Sequence, residues 1–228
     1  MRAIPPNLRL PIGSLIVAGL AVVFMAAWSV LRWPEMAPSV VTREVGGNHG
    51  QSVVSRGVMV VAMPALLAIL AALLAVTPTL DAKLVQTVSI TPQQNRGRGT
   101  ARVLGAFLVG LSILLSALHI GFVDMFTDTG SSLEKIAPAA VGVLLIILGI
   151  YLPLARPSTT HSNEWVESFR AAQGPAYRLG GFALVFVGVV TVIAGVMFHW
   201  LALIIAVGGL VLTFAGIAVA SLIKASRS

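Results

Sequence analysis

The stretch Leu201–Ile223 reads LALIIAVGGLVLTFAGIAVASLI, twenty-three residues without a charged side chain. As an α-helix it rises about 35 Å, enough to cross a hydrocarbon core about 30 Å thick. No water in that core is available to backbone N–H and C=O groups, so a lone spanning segment must bond them internally, as a helix does. The same pattern recurs towards the N-terminus: about Leu179–Phe198, Ile136–Leu154, Val103–Val123, Gly57–Val76 and Leu10–Leu31. Pro138 and Pro153 bracket the Ile136 block, and Pro64 lies inside the Gly57 block. Prolines are tolerated in spans when neighbours or water satisfy the freed carbonyl. The first block is read as a retained helix, because Met25-Ala26-Ala27 before Trp28 is a poor signal-peptide cleavage site. The expected fold class is all-α, a polytopic integral membrane bundle of about six transmembrane helices.

Composition agrees with that reading. Hydrophobic residues make up 57% of the 228 and charged residues 10%, with mean hydropathy +0.95. A soluble domain carries about 25% charged residues. The net charge of +7 does not indicate nucleic acid, because the basic residues lie in loops between apolar blocks rather than on one face. Direct nucleic-acid binding is not expected. Cysteine is absent, which excludes disulfides, thiol catalysis and cysteine metal sites.

Those loops set the expected orientation. With the N-terminus inside, the inner segments hold Arg2, Arg9, Lys83, Arg96, Arg98, Arg102, Arg156, Arg170, Arg178, Lys224 and Arg227, eleven of the fifteen basic residues. Arg32, Arg43, Arg56 and Lys135 remain outside. Short loops rich in Lys and Arg resist translocation, so both termini are expected in the cytoplasm. Phe198-His199-Trp200 turns the chain between the last two spans at headgroup level.

Three connections are long enough to hold structure: the outer loop Arg32–Arg56, and the inner loops Thr77–Arg102 and Arg156–Arg178. In the last, Asn163 caps a predicted short helix with Glu164 and Glu167 in its first turn, ended by Gly174-Pro175. Trp165, Phe169 and Ala172 share a face, which fits a helix lying on the inner membrane surface or an ordered connector without a lipid role.

Catalytic signatures are missing: there is no nucleotide loop, His-Glu-x-x-His pair or nucleophile elbow. His119 and Asp124 are the ionisable residues at or near membrane depth, where such groups are costly and invite a functional reading. With His49, His199 and Asp128 they gather towards the outer side, as a metal or proton site or as groups solvated at the interface. Without fixed spacing, solvation is the expectation, and no metal or cofactor is assigned. The many span glycines, among them Gly142, Gly149, Gly188, Gly195, Gly208 and Gly209, are expected to let helices approach closely. Gly208-Gly209 also suits dimerisation.

The layout resembles a known family. Leu31-Arg32-Trp33-Pro34-Glu35-Met36-Ala37-Pro38, then Gly46-Gly47 and Ser55-Arg56, with Thr77-Pro78-Thr79-Leu80-Asp81 after the second span, is similar to the DUF1648 module. Gly142 to Pro153, followed by Thr160, Ser162 and Trp165, resembles the SdpI family of multi-pass bacterial immunity proteins against a secreted peptide toxin. The resemblance implies a module at 1–81, a basic cytoplasmic loop at 82–102, and a four-helix region at 103–228 with its cytoplasmic loop at 156–178. Two departures stand out. Val40 occupies the place of the family's loop histidine, and Arg156-Pro157-Ser158-Thr159-Thr160 replaces its asparagine and Gly-Ile-Arg-Thr run.

The leading expectation is therefore a non-enzymatic protein of the bacterial cytoplasmic membrane, of immunity or signalling type. Its partners would be the lipid bilayer, a membrane-active peptide toxin outside and a cytoplasmic regulator inside. Candidate functional residues are Trp33, Pro34, Pro38, His119, Asp124, Arg156, Thr160, Ser162 and Trp165. A small transporter or accessory subunit, with a path along His119, Asp124 or Thr191, is the alternative. A membrane enzyme using the outer His/Asp set comes third.

Overall fold

A computed structural model describes residues 12–43, 52–88, 96–127, 133–154 and 164–226. It contains α1 (Ile12–Arg32), a 3-10 turn at Trp33–Glu35, β1 (Ser39–Arg43), β2 (Ser52–Ser55) and α2 (Arg56–Val88). These are followed by α3 (Arg96–Asp124), α4 (Leu133–Tyr151), a 3-10 turn at Leu152–Leu154, α5 (Glu164–Met197) and α6 (His199–Ala225). All six helices are long and apolar enough to cross a membrane. The strands form one antiparallel hairpin.

The helices pack in two groups joined at α3 and α4. Helices α1, α2 and α3 pack on one another, and so do α4, α5 and α6, while α3 lies against α4. The first group closes on Ala18, Met25, Leu67, Leu108 and Leu115, the second on Leu145, Leu184 and Ala206. A third cluster, Met36, Val123 and Phe126, lies under the hairpin. Around these cores the outer faces stay apolar: Leu179, Phe182, Phe186 and Ile193 run along α5 at helical spacing, all exposed. A stripe this greasy suits lipid as the solvent.

Glycine sets the α4–α5 spacing. A Cβ on Gly142 would meet Gly188 O at 2.7 Å, and one on Gly188 would meet Gly142 O at 2.6 Å. Seven residues along each helix the contact repeats: a Cβ on Gly149 or on Gly181 would stand 2.6 Å from the other's carbonyl oxygen. The backbones touch because no side chain stands between them. By contrast, Gly208 has open space and Gly209 meets Val187 of α5, so only Gly208 faces away from the bundle.

The fold is predominantly helical, as expected, and the connection between α1 and α2 holds a 3-10 turn and a hairpin. Two sequence expectations need correction. Helix α2 continues past Val76 to Val88, and α3 begins at Arg96, so most of the expected inner loop is helical backbone. At thirty-three residues α2 is about 50 Å long and outruns a bilayer core by some 20 Å. Gly174-Pro175 does not end a surface helix, since α5 runs unbroken from Glu164 to Met197. Gly174 does not take the left-handed conformation that closes helices, and without it Pro175 removes one backbone bond but does not stop the chain. Similarly, Pro138 lies inside α4, where Gly195 of α5 leaves room for its ring.

Candidate functional site: the hairpin end and the Ser29–His119 contact

The end of the bundle carrying the hairpin is built by local rules. Pro34 sits in the first turn of the 3-10 segment after Arg32, where a fixed φ helps and a missing N–H costs little. Met36 N–H donates to Trp33 O at 3.3 Å, and Met36 itself is extended, sending the chain towards β1. Its side chain is buried among Val123 and Phe126, and Ala37 N–H donates to Phe126 O at 2.7 Å. The hairpin is thereby fastened to the end of α3.

Strand periodicity then sorts the valines. Val40 pairs with Val54 and Val41 with Val53, with an irregularity between Val41 and Arg43. Alternate side chains face opposite sides of a strand. Val40 and Val54 pack into the cluster under the hairpin, while Val41 and Val53 are exposed.

Arg56, the first residue of α2, closes the assembly. Its guanidinium lies 4.3 Å from the Trp33 ring centroid, and Nη1 donates to Met36 O at 3.3 Å. Arg56 N–H donates to Pro38 O at 3.1 Å. Below it, Arg32 bonds Glu35 at 2.6 Å and lies 5.2 Å from the Trp28 ring. Arg56→Ala removes a cation–π contact of about 0.5–1 kcal/mol and a charge-assisted hydrogen bond of about 1.5 kcal/mol. The expected result is a hairpin that opens some thirtyfold more often, read as faster limited proteolysis between β1 and β2. Cleavage at the unaltered rate would refute the clasp.

One turn deeper, α1 and α3 meet through a polar contact. His119 is fully buried, with Nε2 at 2.7 Å from Ser29 Oγ and 3.0 Å from Met25 O. A carbonyl only accepts, so Nε2 carries the proton and Nδ1 is left with a lone pair. Among the described residues Nδ1 has no hydrogen-bond partner, and neither has the buried Nε1 of Trp28. His119 therefore does not sit solvated at an interface, as its sequence context led us to expect. It joins two helices.

The other candidate residues scatter. Trp33, Pro34 and Pro38 lie exposed on the hairpin approach, and Asp124 ends α3 half-buried near them. His199 pairs with Glu134 at 3.5 Å on an exposed part of the same end. Thr191 spends its hydroxyl on Val187 O within α5, which packs on α4 and α6, so it is not brought to His119. Trp165 falls in the first turn of α5; Arg156, Thr160 and Ser162, with His49 and Asp128, lie outside the described residues. No cluster of three potential metal ligands occurs among the described residues.

No family model, curated relative or solved structure matches this chain. The sequence does not single out Ser29, and Met36 and Arg56 enter its reading only as members of the loop motifs. The signal for Ser29 was present: a hydroxyl four residues after Met25, on one face of an apolar helix, as is usual for a group bonding across a helix interface. The contacts of Met36 and Arg56 were not legible there, because the partners are backbone carbonyls, buried side chains and a ring brought together by the hairpin.

Proposed function

We propose that this chain is a non-enzymatic multi-pass protein of a bacterial cytoplasmic membrane, of the immunity or signalling type that its loop motifs resemble. Both termini lie in the cytoplasm, and the hairpin end faces outward to recognise a membrane-active peptide. The observation that carries this reading is the hairpin itself, clamped by Met36, Ala37 and Arg56 yet presenting Val41, Val53 and Trp33 to the surroundings. A preorganised apolar surface loses little order when it binds. Charge supports the choice of partner. The connections at this end carry Glu35, Glu44, Asp124, Asp128 and Glu134, five of the eight carboxylates, beside only four of the fifteen Lys and Arg residues. Membrane-active peptides are commonly amphipathic and basic. The opposite end, with the remaining eleven basic residues, suits anionic lipid and an acidic cytoplasmic regulator.

The test is survival under membrane-active peptides from neighbouring bacteria, comparing deletion, wild-type and Val41→Ser/Val53→Ser strains. Each valine is about half exposed, so covering the pair is worth about 2 kcal/mol in all, or some thirtyfold in peptide affinity. Protection should fall towards the deletion strain while the protein remains in the membrane. Equal survival of deletion and wild-type strains across the peptide panel would remove the immunity reading.

A transport function is the second reading, favoured by the polar Ser29–His119–Met25 contact inside the bundle. It predicts solute flux in proteoliposomes that drops in His119→Ala and Asp124→Asn. Flux indifferent to both substitutions would argue against it.

A further inference from the structure

We infer that Trp28 Nε1 and His119 Nδ1 together bind one buried water molecule between α1 and α3, directly beneath the hairpin. The inference is independent of the proposed function. Both atoms are buried, and both lack a partner among the described residues. Their chemistry is complementary: the indole N–H only donates, and Nδ1 only accepts once Met25 O has fixed the proton on Nε2. Placement brings them to one interface. Trp28 precedes Ser29, the residue bonded to His119, and packs into the cluster that includes Val123, one helical turn beyond His119 on α3.

The donor–acceptor pair selects the ligand. A cation would meet the indole N–H, and an anion would meet the imidazole lone pair, so neither is satisfied at both atoms. Water accepts from the indole and donates to the imidazole, and buried waters typically serve polar groups otherwise left unbonded. Met36 and Phe126 are buried in the cluster against which Trp28 packs. The water therefore ties the hairpin-bearing end of α1 to α3.

Water-edited solid-state NMR on the full chain in lipid bilayers, with ¹⁵N-labelled histidine, tests this. His119→Gln assigns the His119 signals among the four histidines. The expected result is an Nδ1 shift typical of a hydrogen-bonded acceptor and magnetisation transfer from water to that site. Trp28→Phe keeps an aromatic ring but deletes the donor, and should weaken the hold on the water about fivefold, the worth of one hydrogen bond, read as reduced transfer. An Nδ1 shift typical of a bare lone pair, or bonded Nδ1 with no transfer from water, would overturn the proposal. Transfer unchanged in Trp28→Phe would do so as well.

Discussion

Gly188→Leu is expected to destabilise the bundle by about 3 kcal/mol or more, the upper end of overpacking costs. The reason is what the new side chain meets. Its Cβ would stand 2.6 Å from Gly142 O and 2.9 Å from Ile146 N, and backbone cannot swing aside as a side-chain tip does. Helices α4 and α5 must separate, which also strains the second contact at Gly149 and Gly181. Gly208→Leu is the matched control, because nothing lies within 4 Å of a Cβ there. Its stability should stay within about 0.5 kcal/mol of the parent, as for other surface substitutions. Thermal unfolding in detergent, with size-exclusion profiles for folded yield, reads both. Equal melting of Gly188→Leu and the parent would show that α4 and α5 do not meet along these glycines. A Gly208→Leu protein that changes oligomeric state would place Gly208 at a dimer contact on α6.

The second large effect belongs to His119. His119→Ala deletes a fully buried ring and both its bonds to α1, and the cavity adds to the loss, for about 3 kcal/mol. Ser29→Ala should cost less, about 1 kcal/mol, since interhelical hydrogen bonds in membranes average only about 0.6 kcal/mol. A double-mutant cycle isolates their coupling, expected between about 0.6 and 1.7 kcal/mol. Additive losses would mean that the 2.7 Å contact contributes nothing beyond packing. The same cycle bears on the transport reading. A purely structural contact changes stability, whereas a path residue changes flux at unchanged stability.

These predictions mark where the sequence could be read directly. All six long apolar helices were visible in the sequence, because about 20 apolar residues in a row would leave the backbone one economical solution in lipid. Close approach through glycine was also anticipated, but its partners were not. Gly181, half of one contact, is not among the glycines the sequence singles out, while Gly208 meets nothing within 4 Å inside the chain. Which glycines meet depends on helix rotation, and in spans apolar on every side no hydrophobic face reveals it. The ends of helices were the least legible. Gly174-Pro175 looked like a stop and α5 runs through it, since a closing glycine is defined by its backbone angle and not by its identity.

The sequence by itself determined the six long apolar helices and the charge asymmetry between the connections at the two ends. Those follow from solvation, which acts on each segment separately. Only the tertiary structure decided that the connection between α1 and α2 is a hairpin clasped by Arg56, that His119 joins α3 to α1, and that Gly142 and Gly149 meet Gly188 and Gly181. Each of those contacts links residues from separate elements, and its geometry exists only once both are packed.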